Sequence, residues 1–210
     1  MDGKDAKQLG WAVAKMIIGA GSVGALLFGS AGTFAYWNAW LMMVLLFVPM
    51  LIVGVVLWLK AKDLLRKRLV GKEKESEQKQ VVLAFAGMFI AGFVLAGLDF
   101  RLGWSEVPCW GIAIACCAHL ARHVAVQEGQ KVVDTGLYGF VRHPMYLAMC
   151  VLYLCFPIVV GSWIALIAFL PTPFLLAKRI RNEEAVLEKG LAGYSDYKKK
   201  VKYRLIPFVW

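Results

Sequence analysis

The stretch GLYGFVRHPMYLAM, residues 136–149, sets Arg142, His143 and Pro144 directly against the start of a long apolar run. A charge at the edge of a bilayer is expensive and usually has a task. Pro144 suits the first turn of a helix, where the N–H it lacks would be unpaired in any case. RHP therefore reads as the start of a helix near Met145. Backbone N–H groups left free there, beside Arg142 and His143, would form a natural site for an anionic group. Tyr138 and Tyr146 add aromatic surface with a hydroxyl handle. The same residue types also serve as plain interfacial anchors, so this stretch alone leaves both readings open.

A second cluster carries complementary chemistry. Arg179 and Glu183 are four apart, hence on one helix face, and Glu184 follows. Such pairs are commonly solvated salt bridges of little consequence. This one, however, follows an apolar run immediately, at the depth expected of Arg142 and His143. A hairpin over 145–177 whose arms return to the same side would bring the Arg–His and Arg–Glu pairs together.

Three other patterns carry less. GAGSVG, residues 19–24, fits the dinucleotide fingerprint, but that motif works only between a strand and a helix. Here it sits inside an apolar block, where small residues let helices approach closely. HLARH puts His119 and His123 on one helix face. Leu120 stands where a metalloprotease carries its Glu, and no third ligand is evident, so an interfacial histidine pair is expected and no metal site. The five cysteines, Cys109, Cys116, Cys117, Cys150 and Cys155, are odd in number and lack paired metal-type spacing, so packing is their expected role.

The elements that must position these residues are membrane helices. The 210-residue chain is 60% hydrophobic with a mean hydropathy of +0.63, against about 45–50% apolar for soluble domains. Apolar blocks run near 11–29, 36–59, 81–98 and 104–121, each close to the roughly 20 residues a crossing needs. The block 145–177 is interrupted at VVGSW (159–163) and is long enough for two crossings. After MDGKDAKQLG the apolar stretch is too long for a signal peptide and shows no small-residue cleavage site, so it is expected to remain a helix.

Charge placement selects the crossing number. Of 24 Lys and Arg, eight fall in 60–80, three in 119–143, nine from Lys178 onward and three near the N-terminus. Only Arg101 is left for the remaining loops. Six crossings put every basic segment on one side, which the positive-inside rule makes cytoplasmic; five do not. The net charge of +10 then faces anionic headgroups, and no nucleic-acid partner is expected. The connector 60–80 reads equally as an amphipathic, lipid-facing segment or as a solvated charge run. No internal repeat is evident.

GLYGFVRHPMY, an apolar hairpin, then RIRNEEAVL, GYSDYKKKV and RLIP occur in that order. Over about 119–210 the chain resembles the isoprenylcysteine carboxyl methyltransferase family, whose membrane-embedded relatives include phospholipid methyltransferases. The resemblance implies S-adenosylmethionine as cofactor, bound without a Rossmann domain, with Val133, Gly136, Tyr138, His143 and Tyr146 bordering it. Arg142, Pro144 and Glu184 join that cofactor-binding set. Arg179 and Glu183 match an Arg and a Glu needed for turnover in the family.

The fold expected is thus all-α and polytopic, with about six transmembrane helices and a cytoplasmic C-terminal cofactor pocket. Residues 1–118 would be helices with the charged connector, and 119–210 the cofactor-binding and catalytic region. Both termini and the site would lie on the cytoplasmic side of a multi-pass membrane protein. The reaction expected is methyl transfer to a lipid-like acceptor entering from the bilayer, a prenylated cysteine carboxylate first. A phospholipid amine or small thiol, an NADPH-dependent reductase related to the sterol reductases, and a non-enzymatic membrane protein are the alternatives.

Overall fold

A computed structural model describes residues 3–60, 76–121, 136–191 and 193–210. Val133, His123 and most of the 60–80 connector lie outside these residues. The described chain is all-helical. Helices α1 (Gly3–Ala31), α2 (Trp37–Lys60) and α3 (Ser76–Leu102) are followed by α4 (Cys109–Ala121), α5 (Pro144–Val159), α6 (Trp163–Phe169), α7 (Thr172–Gly190) and α8 (Tyr194–Lys200).

Four segments are long and apolar enough to cross a bilayer: Gly10–Ala31, Trp37–Lys60, Lys79–Leu102 and Trp163–Gly190. Two more apolar helices, Cys109–His119 and Pro144–Val159, are shorter. At 1.5 Å per residue the 16 residues of α5 reach about 24 Å, against a hydrocarbon core of about 30 Å. Together these helices support a multi-pass membrane protein.

The fourth apolar block makes less helix than its composition suggests. The sequence offers 104–121, yet α4 begins at Cys109. Pro108 disfavours helix at the residue before it, and residues 104–108 run as an irregular link that turns back over α3. The Ser105 N–H and hydroxyl in this link both donate to Asp99 of α3, at 2.7 and 2.5 Å.

Helix α3 is the spine, packed by α1 on one side and by α6 and α7 on the other. GAGSVG lies within the unbroken α1, with Gly19 against Phe47 and Gly24 against Met43, both side chains of α2. Helices α1 and α3 approach closely at Gly97, where an added Cβ would sit 2.7 Å from the Leu27 carbonyl and 2.8 Å from the Ala31 nitrogen. Only a residue without a side chain fits such a contact. Between α3, α5 and α6, Phe89 meets Tyr153, Phe156 and Phe169 edge-on at centroid distances of 4.9, 5.5 and 5.2 Å, an arrangement that ring quadrupoles favour. Among the cysteines, all of them free, Cys116, Cys150 and Cys155 pack on this core.

The interrupted apolar block forms the expected hairpin. Helix α5 runs out, residues 160–162 turn, and α6 with α7 runs back against α5. The turn uses Gly161 at φ +80°, and an added Cβ there would be 2.9 Å from Asn38 Nδ2. Carbonyls at the end of α5 lack helical partners, and the first part of the chain supplies them. Tyr36 donates to the Val160 carbonyl at 2.5 Å and Asn38 to that of Val159 at 3.1 Å. Ser162 caps α6 by accepting the Ala165 N–H at 2.9 Å and donates its hydroxyl to Asp99. Asp99 is 1% exposed, so these hydroxyls and N–H groups replace the water it gave up.

Candidate functional site

The opposite end of the hairpin gathers the residues singled out by sequence. Pro144 is the first residue of α5, with His143 as its N-cap. Several of the N–H groups there are bonded within the chain. The Arg142 N–H donates to the Tyr203 carbonyl and that of His143 to the Arg204 carbonyl, both at 2.9 Å. The N–H of Tyr146 bonds to the His143 carbonyl at 3.1 Å. The anion beside Arg142 and His143 is Glu184 itself.

Glu184 is 3% exposed and Arg142 7%, a burial that charged groups tolerate only when paired. Arg142 Nε donates to Glu184 Oε1 at 2.8 Å, and its Nη1 donates to the carbonyls of Val201 and Lys202 at 2.7 and 3.0 Å. His143 Nε2 lies 3.3 Å from the same Oε1. Arg204 Nε donates to Oε2 at 2.9 Å. One carboxylate thus binds α5, α7 and the C-terminal segment into a single unit.

A second cluster lies one residue away along α7. Tyr146 donates its hydroxyl to Glu183 Oε2 at 2.5 Å and accepts from Arg179 Nε at 3.1 Å. Its ring is 5.7 Å from that of His143, which links the two clusters. Tyr146, Arg179 and Glu183 are all half-buried, where Glu184 is sealed. Spacing explains the split. Ile180 and Glu184 belong to the buried stripe of α7, and Arg179 and Glu183 form the adjacent one.

The structure therefore brings Arg142, His143, Tyr146, Arg179, Glu183 and Glu184 together. Tyr138, in the 3-10 turn Gly136–Gly139, is tied in through its carbonyl, which accepts from Tyr197 at 2.8 Å. Gly136 is exposed, with φ +60° and open space around it. His119 is set apart in the core, its Nε2 3.0 Å from the Leu45 carbonyl and its ring 5.5 Å from Phe156.

Sequence spacing missed Arg204, the carbonyls of 201–203, and two buried polar groups, Asn182 and Tyr194. Asn182 lies in RIRNEEAVL, Tyr194 and Val201 in GYSDYKKKV, and Arg204 opens RLIP. Tyr194 packs with Tyr197 under Leu187 and Leu191. Burial first, then the Glu184 carboxylate, pushes its hydroxyl up to about 12, so it is a proton-bearing donor at neutral pH. The Tyr194 hydroxyl and the Asn182 Nδ2 are shielded from solvent and have no hydrogen-bond partner among the described residues.

Comparisons with known proteins bear on this region. A model of the isoprenylcysteine carboxyl methyltransferase (ICMT) family matches residues 109–189. The chain is also 32% identical over 90 residues to Delta(14)-sterol reductase TM7SF2 of Mus musculus, covering 41% of this chain and 22% of that protein. It is 28% identical over 93 residues to Delta(14)-sterol reductase of Methylotuvimicrobium alcaliphilum, covering 43% and 22%. The chain thus spans about a fifth of the length of these curated relatives. The matched family segment begins with α4 and ends in the last turn of α7, enclosing the whole hairpin and both acidic residues of the site. Over residues 109–189 the chain is similar to the isoprenylcysteine carboxyl methyltransferase family, in agreement with the motifs read from the sequence.

Proposed function

We propose that the protein is an integral membrane methyltransferase that uses S-adenosylmethionine to methylate a lipid-like acceptor, most simply a prenylated cysteine carboxylate. The observation that carries this reading is the half-buried Arg179–Tyr146–Glu183 triad at the base of an apolar hairpin, inside the segment matched by the family.

The residues fit the cofactor by their chemistry. S-adenosylmethionine carries an ammonium, a carboxylate and ribose hydroxyls on one molecule. Glu183 offers a half-buried carboxylate to a cation. Asn182 Nδ2 and the Tyr194 hydroxyl are buried donors without partners among the described residues, and such groups are costly unless something binds them. Gly136, Tyr138, His143 and Tyr146 would complete the binding set, with Arg142, Pro144 and Glu184 supporting it from behind. When bound, the cofactor supplies an electrophilic methyl group.

The chain's own task is then orientation. A carboxylate acceptor is ionised at neutral pH and needs no base. Arg179 holds the acceptor oxygens through a guanidinium fork, and Tyr146 keeps Arg179 aligned by accepting from its Nε. Glu183, holding the Tyr146 hydroxyl, fixes that tyrosine and would offer its carboxylate to the cofactor's ammonium. Well-oriented reactants at about 3–3.5 Å recover a large part of the barrier in such a displacement. The lipid tail enters sideways between apolar helices, and the site faces the cytoplasm, where six crossings would collect the basic segments.

The test is transfer of tritiated methyl from S-adenosylmethionine to prenylcysteine, lipid-amine and thiol acceptors, alongside S-adenosylhomocysteine binding. Labelling of prenylcysteine alone supports the carboxylate assignment; labelling of the amine or thiol moves it to that acceptor. Arg179→Ala is expected to abolish transfer while S-adenosylhomocysteine still binds. A second reading, an NADPH-dependent membrane reductase, is favoured by the names of the two matched relatives. NADPH binding without S-adenosylhomocysteine binding would establish it in place of the first.

A further inference from the structure

Glu184 is surrounded by more positive charge than it neutralises. Its carboxylate meets Arg142 at 2.8 Å, Arg204 at 2.9 Å and His143 at 3.3 Å. Two guanidiniums against one carboxylate leave a surplus positive charge even with a neutral imidazole. Arg142 directs its donors inward and its side chain is 5% exposed. Arg204 is different. Its side chain is 28% exposed, and among the described residues no hydrogen bond or ion pair reaches its two terminal Nη groups.

Arg204 is nevertheless held firmly. Glu184 fixes its Nε, the Trp210 ring lies 5.2 Å from its Cζ, and its carbonyl accepts from His143 at 2.9 Å. Its N–H donates to the Trp210 carbonyl at 3.0 Å. With its backbone bonded at both polar groups and its guanidinium held by Glu184 and the Trp210 ring, the side chain has lost rotamer freedom, so it binds an oxyanion at reduced entropic cost. Lys202 is exposed two residues earlier. Apolar side chains stand out nearby, with Phe208 88% exposed and Ile206 44%, as suits a surface at headgroup level.

We propose that Arg204 forms an anion site at the base of the hairpin, its terminal nitrogens receiving a phosphate-type oxyanion from a phospholipid headgroup or a free phosphate. Arginine forks match phosphate oxygens in paired hydrogen bonds. The surplus charge that Arg142 and Arg204 leave around Glu184 gives such an anion its counter-charge. The site is independent of the methyl-transfer reading, since it needs neither cofactor nor acceptor.

The test uses the full chain in a maltoside detergent, which carries no phosphate. Dihexanoyl phosphatidate and inorganic phosphate are titrated separately, with binding followed by phosphorus NMR line broadening and by thermal shift. Saturable binding of either supports the site, and the arm that binds identifies the source. Arg204→Gln is expected to weaken binding at least 10-fold. Arg204→Lys keeps the charge beside Glu184, so it should hold the melting temperature while losing several-fold through loss of the fork. Lys199→Gln, at a side chain 80% exposed, should change nothing. The proposal is overturned if the unaltered protein binds neither probe saturably, if both Arg204 variants bind as tightly as it does, or if Lys199→Gln loses as much as Arg204→Gln.

Discussion

Glu183 and Glu184 are the same residue type at adjacent positions, and the structure assigns them different consequences when neutralised. Glu184→Gln keeps the shape but removes the charge that compensates Arg142, leaving a guanidinium 7% exposed with an amide in place of a carboxylate. Breaking a buried ion pair from one side costs about 3–5 kcal/mol. For a chain of this size each kcal/mol moves the melting temperature by about 2–4 °C, so the expected drop is on the order of 10 °C. Glu183→Gln loses a half-buried carboxylate with one tyrosine hydroxyl on it, a change of about 1 kcal/mol and a shift of a few degrees. Methyl transfer should be lost in both, through misfolding in the first and through the reaction in the second. Circular-dichroism melts in detergent separate them, and Arg142→Met added to Glu184→Gln should recover part of the loss because the uncompensated charge is gone. Melting temperatures within about 2 °C of each other for the two single variants would refute the assignment of Glu184 as the buried keystone.

Tyr146→Phe removes a hydroxyl bonded to two charged groups, worth about 1.5–3 kcal/mol. The expected loss is therefore about 10–100-fold in kcat/KM, with S-adenosylhomocysteine affinity within about threefold by calorimetry. Asp99→Ala strands the Ser105 and Ser162 hydroxyls and the Ser105 N–H, each costing about 1–3 kcal/mol when left unpaired; the melt should fall steeply and Asp99→Asn should restore part of it. Gly97→Ala forces a methyl against the Leu27 carbonyl and Ala31 nitrogen, an overpacking cost of about 1–3 kcal/mol, whereas Gly87→Ala, with nothing within 4 Å, should be neutral or stabilising in the same melt.

What the sequence made legible was local. Pro144 at a helix start, the break at VVGSW and the four-residue spacing of Arg179 and Glu183 each follow from backbone rules that act within a turn or two, and each is found in place. The hairpin then brings Tyr146 to Arg179, 33 positions apart. The partner of Arg142 was not legible in the same way. Glu184 lies 42 positions away and Arg204 a further 20, and a charge beside a membrane helix reads as solvated until its burial is known. At the RHP start the C-terminal segment takes the N–H groups of Arg142 and His143, and Glu184 sits against their side chains. Asp99 escaped notice because a lone acid near a loop carries no periodicity. The shortened α4 shows Pro108 prevailing over an apolar composition that, taken alone, extends the helix to residue 104.

The residues that hold the hairpin lie largely outside the segment that the family matches. Its tip is fixed by Tyr36, Asn38 and Asp99, and its base by Val201, Lys202, Tyr203 and Arg204, none of them within 109–189. A helix that slips by one residue along its neighbour moves by about 1.5 Å, and misplacements near 1 Å can cost about 100-fold in rate. Locking both ends of α5 against α6 and α7 sets the height at which Tyr146 meets Arg179 and Glu183. The first hundred residues thereby contribute to the site through register, since Tyr36, Asn38 and Asp99 anchor the hairpin turn.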